Sequence, residues 1–350
     1  MALVLVAAMV GFGYGVYHYL GSLKSRVTTE KAVAPAKAKF SLPGSVFVAQ
    51  GGALYRLRAG SFQQIANGGW TQPSPGPPNQ LLAVKRDAQF SDLYLLDYDG
   101  HVVKQLTHNA NTDVHLNHWS FYPHLSGDGQ TVYYSWDPKD PGNFYRVDLA
   151  VYAMPVDGLQ RQARAWTDPN QYTGGDVQPA PLKSGGLIYA KFGLTSAGKN
   201  ISQLWLTTRA RATGTPLTKE EDGCAQPALS PDGKRLAMVC TAAGQPSKLM
   251  VADFDGKALG PATVVATGLV AAPGWAPDGN GVLYLSALDT TGHFQLFFQD
   301  LTAPAAPAVP ATAKPTGPAT PLPVPTPKPA RQLTTSNDYD ATSAPAWLAG

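Results

Sequence analysis

The sequence predicts an all-β protein: a six-bladed β-propeller closed by N- and C-terminal strands that share one blade, preceded by a single transmembrane α-helix. Three observations point there. Segments of similar pattern recur about every fifty residues, glycine and proline are over-represented, and the chain opens on an uncharged apolar run.

The apolar run comes first. From Ala2 to Leu20 no side chain is charged, and nineteen helical residues at about 1.5 Å each span roughly 28 Å, close to the hydrocarbon thickness of a bilayer. A cleaved leader would start basic and end at a small-x-small site. Nothing basic precedes this run, and the nearest such sites, Ala34-Pro35-Ala36 and Ala36-Lys37-Ala38, lie over a dozen residues beyond it. A retained anchor over residues 1–21 is therefore expected, with Tyr14, Tyr17 and Tyr19 at its interfacial end. Ala7, Gly11 and Gly15 recur every four residues, a spacing that lets two helix backbones approach closely in lipid. His18 continues that face. It reads either as an axial ligand to a haem or chlorophyll metal or as an interfacial, hydrogen-bonded histidine.

Residues 22–43, rich in alanine, lysine and proline, read as a tether. Lys24, Arg26, Lys31, Lys37 and Lys39 follow the span against a single Glu30, a bias that holds the bulk of the chain in the cytoplasm.

The repeat sets the fold of residues 44–350. Pro73, Pro123, Pro179, Pro227, Pro273 and Pro345 each precede an apolar strand, at intervals of 50, 56, 48, 46 and 72 residues. The last interval contains residues 303–330, a low-complexity insertion with ten prolines. Such a stretch favours extended polyproline geometry and reads either as a passive loop or as an arm that lies along a partner. After each proline come a hairpin, a third strand ending near an Asp-Gly turn (residues 93–100, 151–158 and 249–256), and a fourth strand ending on Thr107, Thr167, Thr218, Thr267 or Thr334. Four short strands per repeat describe a propeller blade. Asp-Gly suits the turns because glycine adopts positive φ without steric cost.

One blade is split between the chain ends. Residues 45–50, 53–58 and 61–66 supply three strands with no opening strand, and residues 344–350 supply an opening strand with no sequel. Joined, they remove the edge that a linear array of sheets would expose.

The pattern Pro-x-x-Ser-Pro-Asp-Gly-Lys, carried closely by residues 227–234 and well by 273–279, resembles the repeats of TolB-type six-bladed propellers. The same repeats occur in the propeller domains of prolyl-oligopeptidase-like enzymes. The resemblance covers residues 44–350, although the repeats at Pro73 and Pro179 lack the Asp-Gly turn. It implies a periplasmic location, and work with a peptidoglycan-associated lipoprotein and in colicin import.

Chemistry is sparse. Apolar residues are 44% and charged residues 15%, which excludes a disordered acidic or basic chain, and a net charge of +3 is too weak a field for nucleic acid. No nucleophile elbow, zinc-protease helix, phosphate loop or dinucleotide fingerprint appears, so no enzyme and no cofactor are expected. His108, Asp113, His115, His118 and His124 cluster in sequence and form a candidate zinc or copper set, the other reading being solvated loop histidines. Phe144, Tyr145 and Arg146 are a candidate partner contact, since aromatics and arginine dominate interface energetics, or else a cover on their own blade. A turn that pairs Ser230 with Lys234 also sets Cys224 opposite Cys240. A bonded pair argues for an oxidising compartment and free thiols for the cytoplasm.

The functional expectation is a non-catalytic scaffold: an accessory subunit of a bacterial inner-membrane complex, of electron-transport type, that docks through its helix and presents propeller rim loops to other proteins. The alternative is an envelope binding protein or sensor that reads a peptide or small ligand at the propeller channel.

Overall fold

The computed structural model describes residues 35–139, 148–169, 172–195, 197–289, 292–302 and 328–349. The expected anchor with Ala7, Gly11, Gly15 and His18, the contact residues Phe144, Tyr145 and Arg146, and most of the proline-rich insertion lie outside the described residues. Among the described residues no helix is long and apolar enough to cross a membrane. Helical structure there amounts to short 3-10 turns at Val114–Leu116, Gln160–Gln162 and Glu220–Asp222.

Everything else regular is antiparallel strand, in six four-stranded units. Unit I comprises Ser45–Gln50, Ala53–Arg58, Ser61–Asn67 and the C-terminal Ala346–Leu348. Unit II comprises Trp70–Pro75, Gln80–Arg86, Ser91–Asp97 and Val102–Gln105. Ser120–Leu125, Thr131–Trp136, Ala150–Pro155 and Arg164–Ala165 make unit III. Asp176–Pro181, Leu187–Leu194, Asn200–Thr207 and Thr215–Pro216 make unit IV. Unit V has Cys224–Leu229, Arg235–Cys240, Ser247–Phe254 and the first part of Leu259–Trp275. The second part of that 17-residue strand opens unit VI, with Gly281–Ala287, Phe294–Asp300 and Arg331–Gln332, so that V and VI form one seven-stranded sheet.

Side chains alternate along each strand, and both faces of a unit are covered by its neighbours. Thr131–Trp136 shows this. Val132 and Tyr134 pack with Leu82 and Leu93 of unit II, while Tyr133 packs with Leu187 and Tyr189 of unit IV. Burial on two faces is why such strands read as unbroken apolar runs rather than alternating ones. The same interlock joins I to II through Leu54, Trp70 and Leu96, and IV to V through Ile188, Leu204 and Leu236.

The strand that opens each unit touches the opening strand of the next. Ala346–Leu348 touches both Leu259–Trp275 and Trp70–Pro75. That C-terminal strand pairs antiparallel with the first, Ser45 opposite Leu348 and Phe47 opposite Ala346. Phe298 of unit VI meets Trp347 edge-on at 5.7 Å.

Three of the Asp-Gly turns are built alike. In the turns at Asp128, Asp232 and Asp278 the carboxylate accepts the backbone N–H two residues on. The intervening Gly129, Gly233 and Gly279 hold φ of 74°, 77° and 74°. The terminal threonines also share a role. The hydroxyls of Thr107, Thr167, Thr218 and Thr334 accept the N–H of Leu93, Val151, Leu204 and Leu296, closing the outer strand onto the third.

Part of the expected tether is not one. Pro35 and Leu42 are buried, Ala36 and Lys39 donate backbone N–H to Asn337 and Leu333, and Arg331 stacks on Phe40 at 4.0 Å. The Trp347 indole donates to the Pro43 carbonyl at 2.7 Å. Residues 35–43 are thus bonded onto units I and VI by partners some 300 positions away, which local composition does not reveal.

Candidate functional site

Five of the six opening strands, all but Ala346–Leu348, are interrupted one residue before their proline. Gln72, Tyr122, Gln178, Gln226 and Ala272 adopt φ of 49°, 53°, 56°, 53° and 54°, left-handed values that non-glycine residues seldom take. Pairing slips by one residue at each point, the signature of a β-bulge. A bulge turns the residue's N–H out of the ladder, and a side chain receives it. The amides of Tyr122, Gln226 and Ala272 donate to Gln72, Gln178 and Gln226 of the preceding unit, at 2.7, 2.9 and 2.7 Å. The Gln72 amide donates to the Ser343 hydroxyl at 2.9 Å, from the other end of the chain. Unit III carries tyrosine where its neighbours carry glutamine. Burial pushes the Tyr122 phenol up, against the hydrogen bonds it makes to Gln178 and Gln72.

Beyond the bulges the six opening strands converge on a cavity of about 570 Å³. Its wall is largely proline (Pro73, Pro181, Pro227, Pro273, Pro345) with Trp275 and Trp347, and its charged contributors are Lys183 and Asp232. Proline suits this wall for two reasons. It presents an apolar ring, and it has no N–H to leave unpaired on the free inner edge of a strand.

At the start of the opening strands of units II and III lies a second recess of about 340 Å³ with more charged contributors, Arg86, Asp87 and Asp340. Thr71, Arg86, Phe121 and Asp340 line it. Thr71 donates to the Asp340 carboxylate at 2.6 Å, and the Arg86 guanidinium lies over Trp119 at 5.6 Å.

Of the five candidate metal ligands, one reaches the larger cavity. His124 is half-buried there, its Nδ1 3.4 Å from the Ser74 hydroxyl, and removal from water lowers its pKa to about 4. It is a neutral imidazole at pH 7. His118 points elsewhere: it stacks on Trp136 at 4.4 Å and hydrogen-bonds the backbone and carboxylate of Asp137. Burial lowers its pKa, and the Asp137 bonds more than offset this, leaving it raised. Asp113 caps the short turn Val114–Leu116 by accepting the His115 N–H. His108 is exposed and is held through its backbone N–H by Gln160.

The expected metal cluster is therefore corrected. Among the described residues no three His, Cys, Asp or Glu side chains form a group able to hold a metal. The five belong to different turns and strand faces, so nearness in sequence did not become nearness in space. The cysteines do meet. Cys224 lies opposite Cys240 and the two are bonded. The turn actually pairs Ser230 with Arg235, one residue off the expected register, and the bulge at residues 226–227 restores the alignment before Cys224 is reached.

Sequence reasoning singled out the prolines of the Gln-Pro steps but not the use of the residues before them. The letters at 72, 178 and 226 were the available signal, but the bond each side chain makes crosses between units and leaves no local trace.

No family model matches the sequence, and no curated protein matches it. Solved structures do. TolB from Acinetobacter baumannii is similar at a TM-score of 0.59 and 14% identity, over 88% of this chain and 67% of that one. A putative TolB from Agrobacterium tumefaciens is similar at 0.52 and 18% identity, over 75% and 86%. At such identities the likeness speaks for the fold alone: this chain has an all-β, TolB-like β-propeller fold.

Proposed function

We propose that the chain is a non-catalytic, membrane-anchored interaction module that takes an extended segment of a partner protein at the proline-lined end of its channel. In this reading the six units are blades of a closed ring, shut by Ala346–Leu348. The contact of that strand with both neighbouring opening strands and the Gln72–Ser343 bond support it.

The cavity wall carries the proposal. A wide, mainly apolar mouth of prolines and two tryptophans buries apolar side chains, and Lys183, Asp232 and the neutral His124 at its margin offer polar contacts to the peptide between them. Ser74 and His124 meet on this wall at 3.4 Å, but burial alone sets the state of that imidazole, with no carboxylate orienting it for turnover. Residues 1–21 would hold the disc to the bilayer, and the stripe of Ala7, Gly11 and Gly15 would seat it against an integral membrane complex.

Two sequence signals oppose each other on sidedness, and the Cys224–Cys240 bond tips the proposal to the oxidising, periplasmic face of the inner membrane. Intact-mass measurement of the chain alkylated under denaturing conditions without reductant checks this. The expected product carries no adduct, and two adducts would return the propeller to the cytoplasm.

The functional test is purification in mild detergent. The wild type should retain a stoichiometric membrane partner, and Leu229→Arg, which places a charge on the cavity wall, should lose it while keeping the fold. A partner retained equally by both, or a purified chain that turns over a substrate, would overturn the reading.

A further inference from the structure

Antiparallel pairing sorts the loops of the six units between two ends. Each opening strand starts where its second strand finishes: Trp70 is opposite Lys85, Ser120 opposite Trp136, Asp176 opposite Lys191 and Leu269 opposite Ala287. Connections that precede an opening strand, and those that follow a second strand, therefore lie at the end away from the proline-walled cavity.

Exposed apolar side chains gather at that end. Val114 and Leu116 precede Ser120–Leu125, and Tyr172, 66% exposed, precedes Asp176–Pro181. Leu194 closes the second strand of unit IV, Leu269 begins the pairing of the opening strand of unit VI, and Leu288, 69% exposed, follows its second strand. Among the described residues the opposite end presents Leu159, which follows the Pro155–Thr131 pair, and the other exposed large apolar side chains, Val102, Val103 and Val264, sit on outer strands. Scattered singly, such side chains would need no explanation; their segregation to one end does.

The described chain also enters there. The Ala36 N–H donates to Asn337 at 2.7 Å, and the adjacent Asp338 pairs at 3.3 Å with His293, in the loop that Leu288 begins. Residues 22–34 are thirteen in number, and at about 3.5 Å each they reach no more than roughly 45 Å.

We infer that this end is a docking surface for the lipid bilayer, its apolar tips entering the interfacial layer. The docking rests on the anchor proposed for residues 1–21, which would set the bilayer within reach of this end and of no other. Two features favour lipid over a protein as the occupant. The apolar side chains are spread over separate loops from unit II to unit VI, and a plane of lipid meets them together, whereas a protein interface needs one contiguous core. Charges at this end are of both signs, Lys199 and Arg86 against Asp113 and Asp289, so the attraction is apolar and needs no anionic headgroup. Tyr172 suits that depth, an aromatic ring with a polar tip.

The test is fluorescence quenching of the full chain in phosphatidylcholine vesicles that carry a nitroxide near the headgroup. The two native cysteines are bonded to each other, so one introduced cysteine can bear a fluorophore. L116C and L288C place it at this end and L159C at the other. Lipid nitroxide should dim the first two about twofold and leave the third bright. Because a dye can insert by itself, K199C labels a polar position at the same end, and its quenching should be lost when L116D and L288D are added, with the thermal midpoint unchanged. Flotation of the same vesicles reads the anchor separately. A chain that does not float defeats the anchor and this docking with it, whereas a chain that floats with residues 116 and 288 unquenched defeats the docking alone. Quenching at residue 159 also overturns it. So do labels shielded from aqueous iodide in native membranes yet unquenched by lipid, which would assign this end to a protein.

Discussion

The His124 imidazole is the residue whose chemistry the fold alters most visibly. Folded, it takes a proton only near pH 4, against 6.5 for the free side chain. Between those values the unfolded chain binds more protons, so stability present above pH 6.5 is lost as pH falls toward 4, by up to about 3 kcal/mol. Urea unfolding at pH 7 and pH 5 should show the loss in the wild type and less of it in His124→Gln; equal losses would remove His124 as the cause. Thr107 offers a second measurement. Its hydroxyl accepts the Leu93 N–H and donates to the buried Asp92, whose pKa burial raises. Thr107→Val keeps the shape but leaves the Leu93 N–H without its acceptor, while Asp92 keeps its bonds from Asn109 and Gln105, so a loss of about 1–3 kcal/mol in chemical denaturation is expected. The terminal threonines were legible as a recurring letter. Their bonds were not, because a hydroxyl's partner depends on strand pairing and not on its sequence neighbours.

At the scale of elements, the strands and turns were the most legible part of the chain, for a local reason. Asp-Gly favours a left-handed turn, taken at Gly100, Gly129, Gly233, Gly256 and Gly279 although not at Gly158, and an apolar run between two such turns has little choice but to be a strand buried on both faces. The bulges were illegible because they answer to neighbouring units. Gln72, Gln178 and Gln226 accept bonds from residues 46 to 50 positions on. The histidines misled for the converse reason: residues close along a loop were dispersed by a strand that sends His124 to one wall and leaves His118 at the other end. Packing between elements gives a sharper check at Gly274. A methyl group there would run into the Pro345 carbonyl of the closing strand. Gly274→Ala should therefore cost about 1–3 kcal/mol by overpacking, read in thermal unfolding, although φ at this position is not left-handed. An unchanged midpoint would mean that the two strands are not in close approach.

For the whole molecule the prediction concerns the join. Ending the chain at residue 342 removes Ala346–Leu348, the Ser343 hydroxyl that accepts from Gln72, and the Trp347 indole that holds Pro43. Hydrogen exchange should then quicken in residues 45–50, about 300 positions away, while residues 187–207 of unit IV keep their protection. Uniform exchange in the two segments would contradict the shared sheet. The split blade was legible because three strands lacked a beginning and one lacked an end, an arithmetic that needs no knowledge of packing. The join also has a direction. Ser45 sits opposite Leu348, so the chain enters and leaves at the same end of the pair. Tension applied between residues 44 and 349 would therefore peel the two strands apart one rung after another instead of shearing all rungs together. A protein tugged at both ends would give way first at its own clasp, at low force, with the other blades still folded.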